Sequence, residues 1–566
     1  MPRPLLALVA LVPLMACGPA PPPLPTGQAG TQEEEARLIA EVFETPQAYT
    51  VRTLDSTDIA AFLAAHPGHA PDSAAMHAFY ARRQGQYAWF VNDSLSQSVS
   101  GFAALMNAAD TAHPEIAALR DRLNELLHGV RHDTLPCDSC RLDLELRLTA
   151  QFFRFADKKY GGLVGKDLGA LDWFIPRSKK DYSQLIDSLV AGSMDLSPIE
   201  PVHPQYAHLK AALKHFHELD TLVAWPALDL GARPTGTQGR RKIETGDSAA
   251  VVADIRQRLM LLGDLRSEGD TVRLHDMRYD SAMTAAVKRF QLRHGLLPDG
   301  VIGPGVMAQL NVPPRDRLRT LLVNMERLRW VPPAYAPDVI LVNIPEFRMH
   351  IFEGGRPAWS MDVVVGTSVT RTVIFSDTLK RIVFSPYWHV PASIVRGELL
   401  PALAKDPDHL RKKGMEVVGG TTALPMVRQR PGPGNALGRV KFLFPNSYSI
   451  YFHDTPSKGG FAREKRAFSH GCIRLSRPVE LAEYLLRDDS TWTAGKIRQA
   501  MHANKETHVQ LKPHERRPVT IGYFTAWTDA DGTLNFRDDV YGHDTKLAKE
   551  LFVGAPVPVP DEVMLP

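Results

Sequence analysis

Between about residue 35 and residue 239, apolar positions recur at three- and four-residue spacing. Residues 142–162 (LDLELRLTAQFFRFADKKYGG) and 206–223 (YAHLKAALKHFHELDTLV) are typical. That period predicts amphipathic helices around a shared core, with pairs such as Phe152-Phe153 inside it. A second helical pattern occupies about 248–311, with amphipathic stretches at 252–262 and 281–294 and turn signals at Asp299-Gly300 and Pro304-Gly305. From Pro337 the period changes to two. Residues 338–366 (DVILVNIPEFRMHIFEGGRPAWSMDVVVG) predict three strands, with Gly354-Gly355 as a hairpin turn. β-branched and aromatic residues then dominate to about Phe452, interrupted by a polar, helix-like insertion. Residues 478–487 predict a helix with Pro in its first turn, 494–503 another, and 518–542 a closing hairpin. The expected architecture is multidomain α+β: an all-α scaffold, a small three-helix module and a mostly-β C-terminal domain with a helical insertion.

Domain limits follow from where the patterns break. We expect a signal peptide at 1–17, a Pro-rich tether at 18–36, the helical scaffold at 37–240, the small module at 246–312, the β-rich domain at 337–545 and a tail at 546–566. The insertion at about 395–427 is too long for an ordinary connection, where about 4–6 residues is the median, and its length suits a lid, a binding loop or a disordered segment. The apolar run at 5–16 follows Arg3 and is too short for a hydrocarbon core, which needs about 20 residues. It suits a secretory signal. Leu14-Met15-Ala16-Cys17 resembles a bacterial lipobox, which would make Cys17 the lipidated residue. That implies an envelope protein tethered by lipid in the periplasm of a Gram-negative-type bacterium. Gly18 after the cysteine points to the outer membrane.

Charge and cysteine count narrow the chemistry. Lys plus Arg is 66 and Asp plus Glu is 63, a net charge of +3, which gives no reason to expect a nucleic-acid partner. Four cysteines are too few for a disulfide-built scaffold. Cys137 and Cys140 form a CxxC, which can be redox-active, half of a zinc site or a local disulfide. With no second CxxC and no βαβ pattern around it, an oxidising compartment favours the disulfide.

Cys472 is different. It lies in AFSHGCIRLSRP (467–478), and His453 precedes it in the chain, at the end of an apolar strand pattern, SIYFHD. A thiol attacks only as thiolate, so it needs a base or a cation beside it. His453 and His470 are candidate bases and Arg474 a candidate cation. Gly471 allows close backbone approach, and its amide and that of Cys472 are candidate oxyanion donors. A buried inert thiol with loop histidines is the bland alternative. A zinc site from His453, His470 and Cys472 lacks further ligands, and no HxxxH, HxH or HExxH supports it.

The segment S-H-G-C-I-R-L at 469–475, with His453 a short way upstream, closely resembles the L,D-transpeptidase catalytic domain of the YkuD type. Flanking segments agree: SPYWHVPASI (385–394), RQRPGPGNALGRVKFLFPN (428–446), NMERLRW (324–330) and FRDDVYG (536–542). The run AVKRFQLRHGLLPDGVIGPGVMAQLN resembles a small peptidoglycan-binding module, and the whole order resembles the larger Gram-negative members. The resemblance implies Cys472 as nucleophile and His453 as general base, with Gly471 giving an oxyanion backbone contact and His470 and Arg474 filling the rest of the motif. It implies substrate-binding roles for Ser469, Trp388 and Asn435. It implies that the imidazole is oriented by a backbone carbonyl rather than by Asp454. The implied reaction joins peptidoglycan tetrapeptide stems, as donor and acceptor, in 3-3 cross-links through a Cys thioester, without metal or organic cofactor. It also implies that the insertion caps the catalytic cleft. A hydrolase using the same Cys and His (an L,D-carboxypeptidase or wall-anchor amidase) and a non-catalytic peptidoglycan-binding lipoprotein are the alternatives.

Overall fold

The structure, a computed structural model, describes residues 52–552 apart from 92–93, 108–113, 129–136, 166, 194, 232–241 and 267–274. Cys17, the signal pattern and the Pro-rich tether lie outside the described residues.

Among the described residues, seven α-helices build the N-terminal unit: α1 Ser56–Ala65, α2 Ser73–Arg82, α3 Gln97–Asn107, α4 Pro114–His128, α5 Asp138–Gly161, α6 Ser183–Val190 and α7 Gln205–Leu222. The longest, α5, is the axis. Cys137 is its N-cap and accepts from the Cys140 amide, and the two cysteines are joined as a disulfide with Cα atoms 5.2 Å apart. The bridge therefore closes the first turn of a helix. A two-stranded hairpin, Phe90–Val91 with Ser94–Leu95, is a β element in a unit expected to be all helical. It is held by buried Glu145 of α5, which accepts from the Ala88 and Trp89 amides.

The module follows as α8 Ala250–Leu261, α9 Ser281–Arg293 and α10 Pro304–Leu310. Asp280 caps α9 by accepting from the Met283 amide. Val252, Ile255, Leu259, Met283, Phe290 and Leu310 form a core of the module's own. The scaffold and the C-terminal domain, by contrast, share one continuous core. The helix α11, Pro314–Trp330, joins them. Its NMERLRW stretch is buried because each polar residue is committed. Asn324 bonds Thr525, Glu326 accepts from the Leu163 amide and Trp330 Nε1, Arg327 pairs with Asp544 and Arg329 reaches Tyr206.

The C-terminal domain contributes β1 Val339–Asn343, β2 Arg348–Glu353, β3 Arg356–Gly366, β4 Phe375–Leu379, β5 Arg381–Phe384, β6 Trp388–His389, β7 Met415–Gly420, β8 Pro425–Gln429, β9 Val440–Leu443, β10 Phe452–His453, β11 Ala467–Ser469, β12 Ile473–Leu475, β13 Thr507–Gln510, β14 Arg517–Gly522, β15 Ala526–Thr528 and β16 Leu534–Phe536. The main sheet runs β13-β5-β9-β10-β12-β3-β2-β1-β14-β4, with β11 added to β3. Its strands are mostly antiparallel, but β10–β12, β11–β3 and β14–β1 are parallel. The expected closing hairpin is shorter than its sequence suggested. Residues 517–522 enter the main sheet between β1 and β4, and only β15 and β16 pair as a hairpin. Val519 and Ile521 on one face and Thr520 on the other are all buried, which a hairpin strand with one side in water cannot satisfy.

The insertion is a small subdomain. Helical turns cover 392–405 and 409–412, and β6, β8 and β7 form a three-stranded sheet. Val390, Ile394, Val395, Leu399 and Val427 give it a core of its own, with Trp388 packed against it. Its second half, in an insertion expected to be helix-like, is the β7–β8 hairpin. Gly420 turns there at φ +88°, where a Cβ would sit 2.6 Å from the Leu424 carbonyl oxygen.

Candidate active site

The site starts from a register. In the parallel pair β10–β12, Phe452 stands beside Ile473 and His453 beside Arg474. Phe452 and Ile473 are fully buried in the core. Side chains alternate along a strand, so Tyr451, His453, Cys472 and Arg474 share the opposite face. Two segments that are separate in the chain thus bring a base, a thiol and a cation together.

His453 is buried, and its Nδ1 donates to the Asp454 carbonyl oxygen at 2.5 Å. Because that partner is an acceptor only, the ring carries its hydrogen on Nδ1 and presents Nε2 as the basic nitrogen. Burial first, and the Arg474 charge next, push the imidazole down to about 4, so it is neutral at physiological pH. The Asp454 carboxylate points elsewhere: it pairs with Lys458 at 2.6 Å and accepts from the Arg439 amide.

Cys472 is the free thiol among the described residues and is half-buried. It donates to the Ser449 carbonyl oxygen at 3.5 Å. Ser449 has φ +58°, a left-handed conformation unusual for a residue with a Cβ. Burial pushes the thiol above its ordinary value, and hydrogen bonds from Tyr451 and the Arg474 charge pull the other way. Cys472 is therefore a protonated thiol and His453 a neutral imidazole on the same face, with no hydrogen bond joining them among the described residues. Such pairs often tighten only when substrate binds.

Cys472 is held by the turn before it. Ser469 is 2% exposed, and its hydroxyl donates to the Cys472 carbonyl at 2.6 Å and accepts from the Gly471 amide at 3.1 Å. Gly471 turns at φ +112°, and its carbonyl accepts from Thr372 Oγ1 at 2.7 Å. Thr370 Oγ1 and the Thr367 amide bond the Ser469 carbonyl. Ser469 braces the turn, its hydroxyl occupied on both sides. The Gly471 amide is likewise engaged, whereas the Cys472 amide has no acceptor among the described residues.

Asn435 is also engaged inside the protein. It is 1% exposed; its amide nitrogen donates to the Pro386 and Arg430 carbonyls and its oxygen accepts from the Leu437 amide. A side chain so saturated holds the base of the insertion. Trp388 packs against the insertion's core. His470 is exposed, and its Nε2 meets Glu398 of the insertion at 2.8 Å. Arg474 lies beside the thiol and imidazole, its Nε buried without a partner.

Tyr451 was not singled out from the sequence. Its position two residues before His453 in a strand pattern was the available signal. Thr372 and Ser449 carry no such signal, because only the fold brings them to the turn. Among the described residues, no group of three or more His, Cys, Asp or Glu could hold a metal ion.

A family model for the L,D-transpeptidase catalytic domain (YkuD) matches residues 337–547. Residues 337–547 are an L,D-transpeptidase catalytic domain. A scaffold domain matches 74–213, and a domain described as "Putative peptidoglycan binding domain" matches 248–310. The protein is similar to the "Putative L,D-transpeptidase" of Haemophilus influenzae (strain ATCC 51907 / DSM 11121 / KW20 / Rd), at 31% identity over 243 residues. That alignment covers 40% of this chain and 48% of the relative, so the chain spans about half the length of the curated relative it matches. Among solved structures, an L,D-transpeptidase from Stackebrandtia nassauensis is similar at 16% identity over 45% of this chain and 91% of its own, with a TM-score of 0.20. An L,D-transpeptidase from Xylanimonas cellulosilytica DSM 15894 is similar at 17% identity over 50% of this chain and all (100%) of its own, with a TM-score of 0.17. In the transpeptidase domain, the S-H-G-C turn and the His453 strand both lie within the matched residues. Among the described residues no helix is long and apolar enough to cross a membrane.

Proposed function

We propose that this chain is a peptidoglycan L,D-transpeptidase that forms 3-3 cross-links through a thioester on Cys472. The observation that carries the reading is the shared face of Tyr451, His453, Cys472 and Arg474 across the parallel β10–β12 pair. A basic nitrogen, a thiol and a cation on one surface suit acyl transfer.

The steps follow from the groups present. His453 Nε2 takes the thiol proton as the sulfur attacks the carbonyl carbon between the third and fourth residues of a tetrapeptide stem. The oxyanion that forms is met by the Cys472 amide. Collapse breaks the peptide bond, and His453 returns the proton to the leaving D-alanine amine. The side-chain amine of a diaminopimelate in a second stem, deprotonated by His453, then attacks the thioester. A new amide forms and the thiol is regenerated. The Asp454 carbonyl keeps the imidazole in the tautomer this cycle needs. Arg474 keeps it neutral between turns.

A substrate of this kind places the protein in the cell envelope. We read Cys17 as its lipid attachment point, with the outer membrane as the anchor; labelling with a fatty-acid probe, lost in Cys17→Ala, is the expected result.

The deciding experiment incubates the purified chain with tetrapeptide muropeptides and weighs the products. A dimer lighter by one D-alanine than two monomers is expected, and Cys472→Ala yields none while staying folded. A shortened monomer alone would show a hydrolase. Cross-linking by the alanine variant would overturn the assignment of the nucleophile.

A further inference from the structure

The module and the transpeptidase domain meet along a fixed seam. The Leu297 amide donates to Glu464 at 2.8 Å, Gln309 Nε2 donates to Asp538 at 2.9 Å, and Arg537 donates to the Arg293 carbonyl at 2.9 Å. Gly295 has φ +69°, and a Cβ there would come within 2.7 Å of the Arg537 side chain. His294 stacks on Phe536 with ring centroids 5.7 Å apart. These contacts hold the two units in one relation.

Within the seam lies an open cleft of about 370 Å³. One wall is the 292–298 turn of the module, which exposes Leu292 and Leu297 at 58% each. The other is formed by residues 345–348, which lead into β2, and by the loop 461–466, which leads directly into β11 and the S-H-G-C turn.

Five basic side chains line this cleft against four acidic ones. Its acidic side chains are committed: Asp362 to Arg466, Asp538 to Lys465, Glu464 to the Leu297 amide and Glu346 to His350. Arg348 and Arg463 are exposed, and neither pairs with a carboxylate among the described residues. Arg348 donates to Ser360 Oγ, and Arg463 lies over the Phe468 ring. Arg466 and Arg537 are partly desolvated behind them, which lowers both guanidinium groups from their ordinary value, burial being the first cause. Two guanidinium groups without a carboxylate partner, in a cleft that also exposes two leucines, fit a ligand that carries both carboxylates and short aliphatic side chains.

We propose that this cleft binds a peptide stem of a peptidoglycan strand by its carboxylates, at a point along the strand away from the stem that reacts at Cys472. This rests on the reading that wall peptide is the substrate. Holding a second stem makes delivery of the reacting one an intramolecular event, so the gain falls on multi-stem strands and not on single muropeptides.

The test uses the full chain carrying Cys472→Ala, which cannot turn over, and titrates it with a fluorescently end-labelled strand of several disaccharide-tetrapeptide units. With Arg348→Gln and Arg463→Gln added, affinity for the strand falls about tenfold, while a single disaccharide-tetrapeptide changes less than twofold. Lysine at both positions restores part of the loss. A strand stripped of its peptides binds weakly and is indifferent to the arginines. In the Cys472-intact chain, the double glutamine variant is acylated by a carbapenem at the parental rate. Strand affinity unchanged by the glutamines would overturn the proposal. Equal arginine dependence for the stripped strand would overturn the peptide assignment. Loss of carbapenem acylation would show that the arginines act through the catalytic fold, and would overturn it too. Failure of the parental chain both to be acylated and to cross-link would count against the transpeptidase reading without touching the strand titration.

Discussion

His453 stands beside Arg474 in the parallel register of β10 and β12, and the guanidinium charge adds to burial in holding the imidazole neutral. The imidazole is thereby unprotonated at any pH the cell envelope meets. The thiol it must deprotonate is held in the opposite sense, above its ordinary value by burial.

The first prediction is a pH profile. A histidine held at about 4 stays neutral above that value, so the rate of carbapenem acylation should be level across the range where a free histidine titrates and fall only near pH 4. Arg474→Gln removes a charge that depresses the imidazole, so the acidic limb should move to higher pH. The stability linkage has the matching sign. A depressed histidine contributes stability above its unfolded value of about 6.5, which is lost as pH falls through the folded value. Stopped-flow acylation from pH 3.5 to 8 measures the plateau and the acidic limb; an inflection near 6.5 in the unsubstituted protein would contradict the first claim.

Tyr451 shares the thiol's face, where it favours the thiolate against burial. Tyr451→Phe should raise the thiol further and slow acylation about tenfold, a loss of one charge-assisted hydrogen bond. Melting temperature should move little. An acylation rate equal to that of the unsubstituted chain would leave Tyr451 as packing only.

Glu398 of the insertion meets His470 of the catalytic turn, with side chains 57% and 51% exposed. An ion pair so exposed adds about 0–1 kcal/mol at most. Glu398→Gln should therefore leave the melting curve in place. If the contact closes the insertion over a peptide, KM for a tetrapeptide should rise several-fold while carbapenem acylation holds. Replacing 396–422 by a Gly-Ser linker should exaggerate the same split. Equal loss of both activities in a folded variant would show that the insertion supports the catalytic core.

Asn435 separates structure from binding. Its hydrogen bonds all go to backbone groups inside the protein, so Asn435→Ala leaves several of them unmatched. Each buried orphan costs about 1–3 kcal/mol, and the melting temperature should fall by several degrees. A substrate-binding role would instead raise KM with the melting curve unmoved.

Much of this protein was legible in its sequence because the signals were local. Period-four spacing marked the scaffold helices, period-two spacing marked β1, β2 and β3, and S-H-G-C with His453 upstream located the chemistry. Strand alternation even contained Tyr451, two positions from His453. What only the tertiary structure decided was which polar groups are free. Ser469, Gly471 and Asn435 looked like ligand-facing groups. Ser469 and the Gly471 amide are occupied within their own turn, and Asn435 by Arg430 and Leu437 nearby and by Pro386 from a separate strand end, which is a matter of exact backbone path. Conversely, Thr372 and Ser449 reach the turn from loops whose sequence carries no catalytic pattern. The same holds for the 517–522 strand, which reads locally as half of a hairpin. It lies between β1 and β4 because burying Val519 and Ile521 on one face and Thr520 on the other requires neighbours that only the closed sheet supplies. Sequence patterns report each segment's own periodicity and propensity. Hydrogen-bond saturation and charge compensation depend on distant segments meeting, and those meetings exist only in the folded chain.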